Sequence, residues 1–186
     1  MKRAFFDQDS VTVAKELLGW YLIHETPKGT VVGRIVETEA YHDRDPASHS
    51  FRGKTPRNSV MFGKSGIAYV YFIYGVYNCF NVVTDKENKG SAVLIRALEP
   101  IEGIELMQKF RKTKTIHELC NGPGKLTIAM NITRDHNGHD LSKRPLYLKP
   151  GPKCKDIIQT TRIGISQAKE ELYRFYINNN RYISKR

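Results

Sequence analysis

The segment Arg34-Ile35-Val36-Glu37-Thr38-Glu39-Ala40-Tyr41 constrains this chain more than any other stretch. Its β-branched and aromatic residues read as a strand, and strand side chains alternate between faces with a period of two. Glu37, Glu39 and Tyr41 therefore share one face. Two carboxylates beside a phenol can orient a nucleophilic water, or they can be a solvated strand face. A second apolar run, Val93-Leu94-Ile95-Arg96-Ala97-Leu98, is interrupted by one arginine. A half-buried Arg needs an acidic partner, so Arg96 is either half of a structural ion pair or part of a catalytic or phosphate-binding group.

Around these two runs the chain reads as hairpin neighbours rather than βαβ units. Ser10 is a candidate cap for a helix over Val11 to Leu18, with Gly19 as its stop. Trp20 to Ile23 and Val31 to Thr38 read as strands joined through Pro27-Lys28-Gly29. A polar loop from Asp43 to Arg57 leads to further strands at Ala68 to Ile73 and Asn78 to Val83, and a turn from Asp85 to Gly90 leads to Ala92 to Leu98. Pro100 is placed at the first turn of a helix reaching Arg111, and a second short helix is placed over Lys125 to Met130. Short strands are expected at Leu146 to Leu148, Thr161 to Ile165 and Arg174 to Ile177. The expected fold class is α+β: a single domain over residues 1–186 around an antiparallel sheet flanked by short α-helices.

Charge narrows the partners. Thirty Lys and Arg against 19 Asp and Glu give a net charge of +11, which favours a polyanion through phosphate neutralisation and counterion release. Basic clusters at Arg52 to Arg57 and Lys109 to Lys114 suit a phosphate backbone or a solvated surface equally well. Gly122-Pro123-Gly124-Lys125 is a helix entry able to bind one phosphate through backbone N–H groups, but it lacks the nucleotide-binding P-loop pattern. The aromatic run Tyr69 to Tyr77 can supply bases with stacking partners, or it can be sheet core, and Tyr74 stands beside Gly75 at a turn.

No run of apolar residues approaches the length of a membrane span, and no signal-like segment opens the chain, so a cytoplasmic, nucleoid-associated location is expected. Cys79, Cys120 and Cys154 stand far apart without metal-ligand spacing. His136 and His139 read as solvated loop residues rather than metal ligands. A non-catalytic nucleic-acid-binding module or a metal-dependent nuclease would fit the charge. The first leaves Glu37, Glu39 and Arg96 without a purpose, and the second would want a carboxylate cluster for its metal.

Several segments, in order along nearly the whole chain, resemble the alkyladenine (3-methyladenine) DNA glycosylase family of the mammalian type. They are Gly33 to Tyr41, Thr55 to Asn58, Met61-Phe62, Tyr69 to Gly75, Leu94 to Pro100 and Gly122 to Leu126. The resemblance implies a curved, open-barrel-like antiparallel sheet, no metal and no cofactor, and hydrolysis of the N-glycosidic bond of a damaged purine flipped from double-stranded DNA, leaving an abasic site. Candidate bases are 3-methyladenine, 7-methylguanine, hypoxanthine and ethenoadenine. It implies that Glu39 activates the attacking water, that Arg96 holds that water with it, and that Tyr41, His49 and Tyr71 enclose the base. Asn81 would discriminate against ordinary guanine, and Tyr74 would be the wedge filling the vacated space. Arg57 and Lys125 are candidate backbone contacts, and a monomer that does not engage membranes is expected.

Overall fold

A computed structural model describes residues 3–73 and 75–185 of the chain. Helix α1 (Ser10–Glu16) is capped one residue earlier than expected: the Asp9 carboxylate accepts from the Thr12 N–H at 3.0 Å, leaving Ser10 as the first helical residue. Strands β1 (Tyr21–Thr26) and β2 (Gly29–Tyr41) form a tight hairpin, and both run longer than their apolar patterns indicate. Strands β3 (Ala68–Ile73), β4 (Tyr77–Thr84) and β5 (Ser91–Glu102) follow as successive antiparallel neighbours. Helices α2 (Ile104–Arg111) and α3 (Pro123–Ala129) come next, then the short strands β6 (Leu146–Lys149), β7 (Ile157–Thr160) and β8 (Arg174–Ile177). The sheet order is β3-β4-β5-β2-β1-β6, and β8 pairs with both β2 and β7.

The thirteen-residue β2 organises the fold. One edge pairs with β5, while the other pairs first with β1 and then, from Glu37 to Glu39, with β8. Serving two partners on one edge curls the eight-stranded antiparallel sheet into a half-barrel, consistent with the α+β expectation. One face is apolar: Val70, Phe80, Val82, Val93 and Ile95 pack with Val13 and Ala14 of α1 and with Leu126 and Ala129 of α3. Burying each of the larger of these side chains contributes roughly 1.5–3 kcal/mol. The Thr38 hydroxyl, on the same side, donates to the Ala14 carbonyl at 2.8 Å and ties β2 to α1.

Two further expectations are corrected. Pro100 does not open a helix; β5 continues to Glu102, and α2 begins only after Gly103, whose φ of 71° suits glycine. Pro100 is tolerated because it sits at a register slip, where Val32 pairs with Glu102 and Gly33 with Pro100. Thr161 to Ile165 is a loop rather than a strand, and β7 ends at Thr160.

Candidate active site

The face of the sheet opposite the apolar core carries the candidate site. By period-two alternation Tyr69 and Tyr71 of β3, Cys79 and Asn81 of β4, and Leu94 and Arg96 of β5 point the same way. With Tyr41 they line a cavity of about 440 Å3. Its rim comes from three connections: Pro46 to His49, Pro123-Gly124 at the start of α3, and Ile163 to Gln167. Gly124 admits Tyr77, because a Cβ there would lie 2.8 Å from that ring.

A local defect in the β2–β5 ladder brings the charged groups together. Ile35 pairs with Leu98 and Thr38 with Ile95, yet between them Glu37 pairs with Ala97. Each strand thus carries a bulge. Ile35 and Leu98 point into the core, whereas Val36 and Ala97 pack on Ile183 outside it. Beside them Glu37 and Arg96 face one another, and Glu39 follows one pleat along. Bulges of this kind re-aim side chains next to functional sites.

Glu39 is fully buried, and its carboxylate is held from three directions. Arg96 Nη1 lies 3.2 Å from Oε1, the Ile163 N–H donates to Oε1 at 2.9 Å, and the Tyr41 hydroxyl donates to Oε2 at 2.7 Å. Burial pulls the Arg96 guanidinium towards neutrality, but Glu39 and Glu37 together outweigh it and hold its pKa above the ordinary arginine value. Burial first, and the neighbouring Glu39 next, raise the Tyr41 phenol well above its usual range, so it remains a donor. Tyr71 is raised likewise, with burial as the main cause and Cys79 next.

The His49 ring lies 4.5 Å from that of Tyr71, and its Nδ1 is 3.0 Å from the Tyr69 hydroxyl. Burial, aided by the charge of Arg57, lowers its pKa and favours a neutral imidazole. Its loop is fixed from below by Asn58, whose amide donates to the carbonyls of His49 and Gly53 at 2.8 and 3.0 Å. The Asn81 amide donates to the Tyr69 carbonyl at 3.1 Å, which sets the orientation of its carboxamide at the cavity floor.

Glu39, Arg96, Tyr41, His49, Tyr71 and Asn81 therefore converge. Arg57 and Lys125 do not line the cavity: exposed Arg57 donates to the Phe72 carbonyl at 3.2 Å, and Lys125 donates to Asn121 Oδ1 at 2.8 Å. Tyr74 lies outside the described residues. Among those described, no group of three or more His, Cys, Asp or Glu is arranged to hold a metal ion, and no helix is long and apolar enough to cross a membrane.

Sequence reasoning missed the supports of the site. Arg162 makes a double-pronged pair with Asp45, with Nη2 3.0 Å from Oδ1, and its guanidinium covers the Tyr41 ring at 4.6 Å. Ile163 offers only a backbone N–H, which leaves no mark on residue identity. Glu37, read as one of a carboxylate pair, is bound by Arg174 at 2.9 Å and by Ser184.

Comparison with known proteins agrees with this geometry. A family model described as methylpurine-DNA glycosylase matches residues 4–181. A protein of Carboxydothermus hydrogenoformans named "Putative 3-methyladenine DNA glycosylase" is 50% identical over 189 residues, covering 100% of this chain and 99% of its own length. A protein of the same name from Methanoculleus marisnigri is 52% identical over 188 residues, covering 98% of this chain and 97% of its own. One from Francisella tularensis is 47% identical over 182 residues, covering 95% and 94%. With a match across most of its length and relatives this similar end to end, the chain belongs to the methylpurine-DNA glycosylase family.

Proposed function

We propose that this glycosylase acts as a monomer on duplex DNA, flips a damaged purine nucleotide into the cavity and hydrolyses its N-glycosidic bond with water deprotonated by Glu39. The observation that carries the reading is the triply held, buried Glu39 carboxylate beside an aromatic cavity with a cationic partner, Arg96. The cavity lies within the range of about 300–1,000 Å3 found for small-molecule sites.

Each lining residue then has a chemical task. Tyr41 stacks on one face of the extruded base, and His49 with Tyr71 forms the other wall. Electron-rich rings favour an alkylated, positively charged purine, and a neutral His49 avoids repelling it. Asn81 selects against ordinary guanine. Tyr74 serves as the wedge that fills the gap in the duplex, offsetting an extrusion cost of roughly a few kcal/mol.

As the bond between the sugar C1′ and the purine nitrogen breaks, its electron pair leaves with the base and positive charge develops on the sugar. Water adds to C1′ and passes a proton to Glu39, while Arg96 keeps the carboxylate oriented. A cationic alkylpurine departs neutral; hypoxanthine must take up a proton as it leaves. The product is an intact abasic site. The lesions 3-methyladenine, 7-methylguanine, hypoxanthine and ethenoadenine are the substrates to assay.

Glu39→Gln keeps the shape of the side chain and removes its basicity. Free-base release from 3-methyladenine- and hypoxanthine-containing duplexes in EDTA, followed by chromatography, should be abolished while duplex binding persists. Near-normal release by the variant would sink the mechanism, and strand cleavage that EDTA suppresses would point to a nuclease.

A further inference from the structure

Below the cavity, residues 182–185 lie across the bulged part of the β2–β5 ladder. Ile183 packs on Val36 and Ala97 and anchors the segment there. The next residue, Ser184, grips Glu37 twice: its N–H donates to Oε2 at 2.6 Å and its hydroxyl to Oε1 at 2.9 Å. Arg174 Nη1 adds a third contact to Oε1 at 2.9 Å and also donates to the Lys185 carbonyl at 2.8 Å. A completely buried carboxylate is thereby fixed by donors that belong neither to β5 nor to the cavity wall.

Arg96 stands against this fixed carboxylate. Its Nε lies 3.4 Å from Glu37 Oε1, has no hydrogen-bond partner, and so meets Glu37 as an ion pair only. Its Nη2 is 3.5 Å from the Ser184 hydroxyl, and its Nη1 faces Glu39. One face of the guanidinium fork is set by the Glu37–Ser184 unit, and the other delivers charge to Glu39. A buried carboxylate with its acceptors occupied cannot swing, so it locates the guanidinium without competing for the contact to Glu39.

We propose that Ser184 and Glu37 are positioning residues for the hydrolytic step: the 182–185 segment clamps Glu37, and Glu37 holds Arg96 at the angle that orients Glu39. This inference rests on Glu39 being the base that activates water. Neither Ser184 nor Glu37 lines the cavity, so their loss should change the rate of bond cleavage and leave duplex affinity unchanged.

The test compares Ser184→Ala, Ser184→Thr and Glu39→Gln in single-turnover release of hypoxanthine from duplex DNA, with affinity measured on a duplex carrying a stable abasic analogue. Ser184→Ala should lower the limiting single-turnover rate by about tenfold, as expected when a reacting group is slightly misplaced, at unchanged affinity. Ser184→Thr retains both the hydroxyl and the N–H and should return the rate to within about twofold of the parent protein. Parent-like release by Ser184→Ala alongside an inactive Glu39→Gln would overturn the clamp and leave Glu39 as the base. Normal release by Glu39→Gln would remove the basis of both. Equal losses of rate and duplex affinity in Ser184→Ala, unrelieved by threonine, would make Ser184 a purely structural residue and also overturn the proposal.

Discussion

Arg162 shows how much a single side chain outside the cavity can set. Its guanidinium is fully buried, pairs with Asp45, donates to the Ala40 carbonyl at 3.0 Å and covers the Tyr41 ring. The next residue supplies the N–H that holds Glu39. Removing one member of a buried pair leaves an uncompensated charge and costs about 3–5 kcal/mol. Asp45→Asn should therefore lower stability by about that amount in urea unfolding. It should also slow base release, because the 161–165 loop loses its anchor; an unfolding midpoint equal to that of the parent would contradict this role. Nothing in the sequence around Asp45 or Arg162 marks the pair. They are separated by 117 residues, and only the curl of the sheet brings them together. Glu39, Arg96 and Tyr41 were legible for the opposite reason: polar groups in apolar, β-branched runs must find partners, and alternation names the shared face.

At the scale of elements, the central strands were legible because period-two patterning and glycine-bearing turns are local signals. What failed was decided non-locally. Pro100 is a common opener of helices, yet here a register slip in β5 accommodates it. The 161–165 run has strand-like residues, but its Ile163 N–H is taken by Glu39 and its Arg162 side chain by Asp45. The junction of β1 with α3 carries a testable consequence. Buried His24 places Nδ1 2.6 Å from the Met130 carbonyl, as a neutral donor, and its ring lies 4.7 Å from that of His136. Burial lowers both imidazoles below the ordinary 6.5. The unfolded chain then takes up protons first as the medium is acidified, since its histidines titrate near the ordinary value. Stability from these groups is complete above about pH 6.5 and is lost progressively below it. Thermal melts should show a flat Tm on the neutral side and a falling one on the acid side, and His24→Gln should flatten that limb. A Tm independent of pH between about 5 and 7 would contradict this account.

For the whole molecule, a net charge of +11 is distributed outside a site whose own charges are nearly all paired. On the proposed mechanism phosphate attraction and chemistry fall to different groups: cations outside the cavity such as Arg57 and Lys125 would set affinity, and the buried ion pairs would set rate. Arg57→Ala should weaken binding to damaged and undamaged duplex alike and reduce the slope of log affinity against log salt by about 1, with little change in single-turnover rate. An unchanged salt slope would remove Arg57 from the DNA-contacting surface.

The centre that orients Glu39 draws on β2, β5, the 161–165 loop, β8 and residue 184, and so spans most of the chain. During synthesis the strand bearing Glu39 emerges early, but the groups that hold its neighbours emerge more than a hundred residues later. On the proposed mechanism, a ribosome-bound chain holding most of its sheet should still be unable to cut a glycosidic bond. By this proposal competence comes last, once β8 and the segment after it have docked, and a partly made enzyme should leave no abasic sites in DNA.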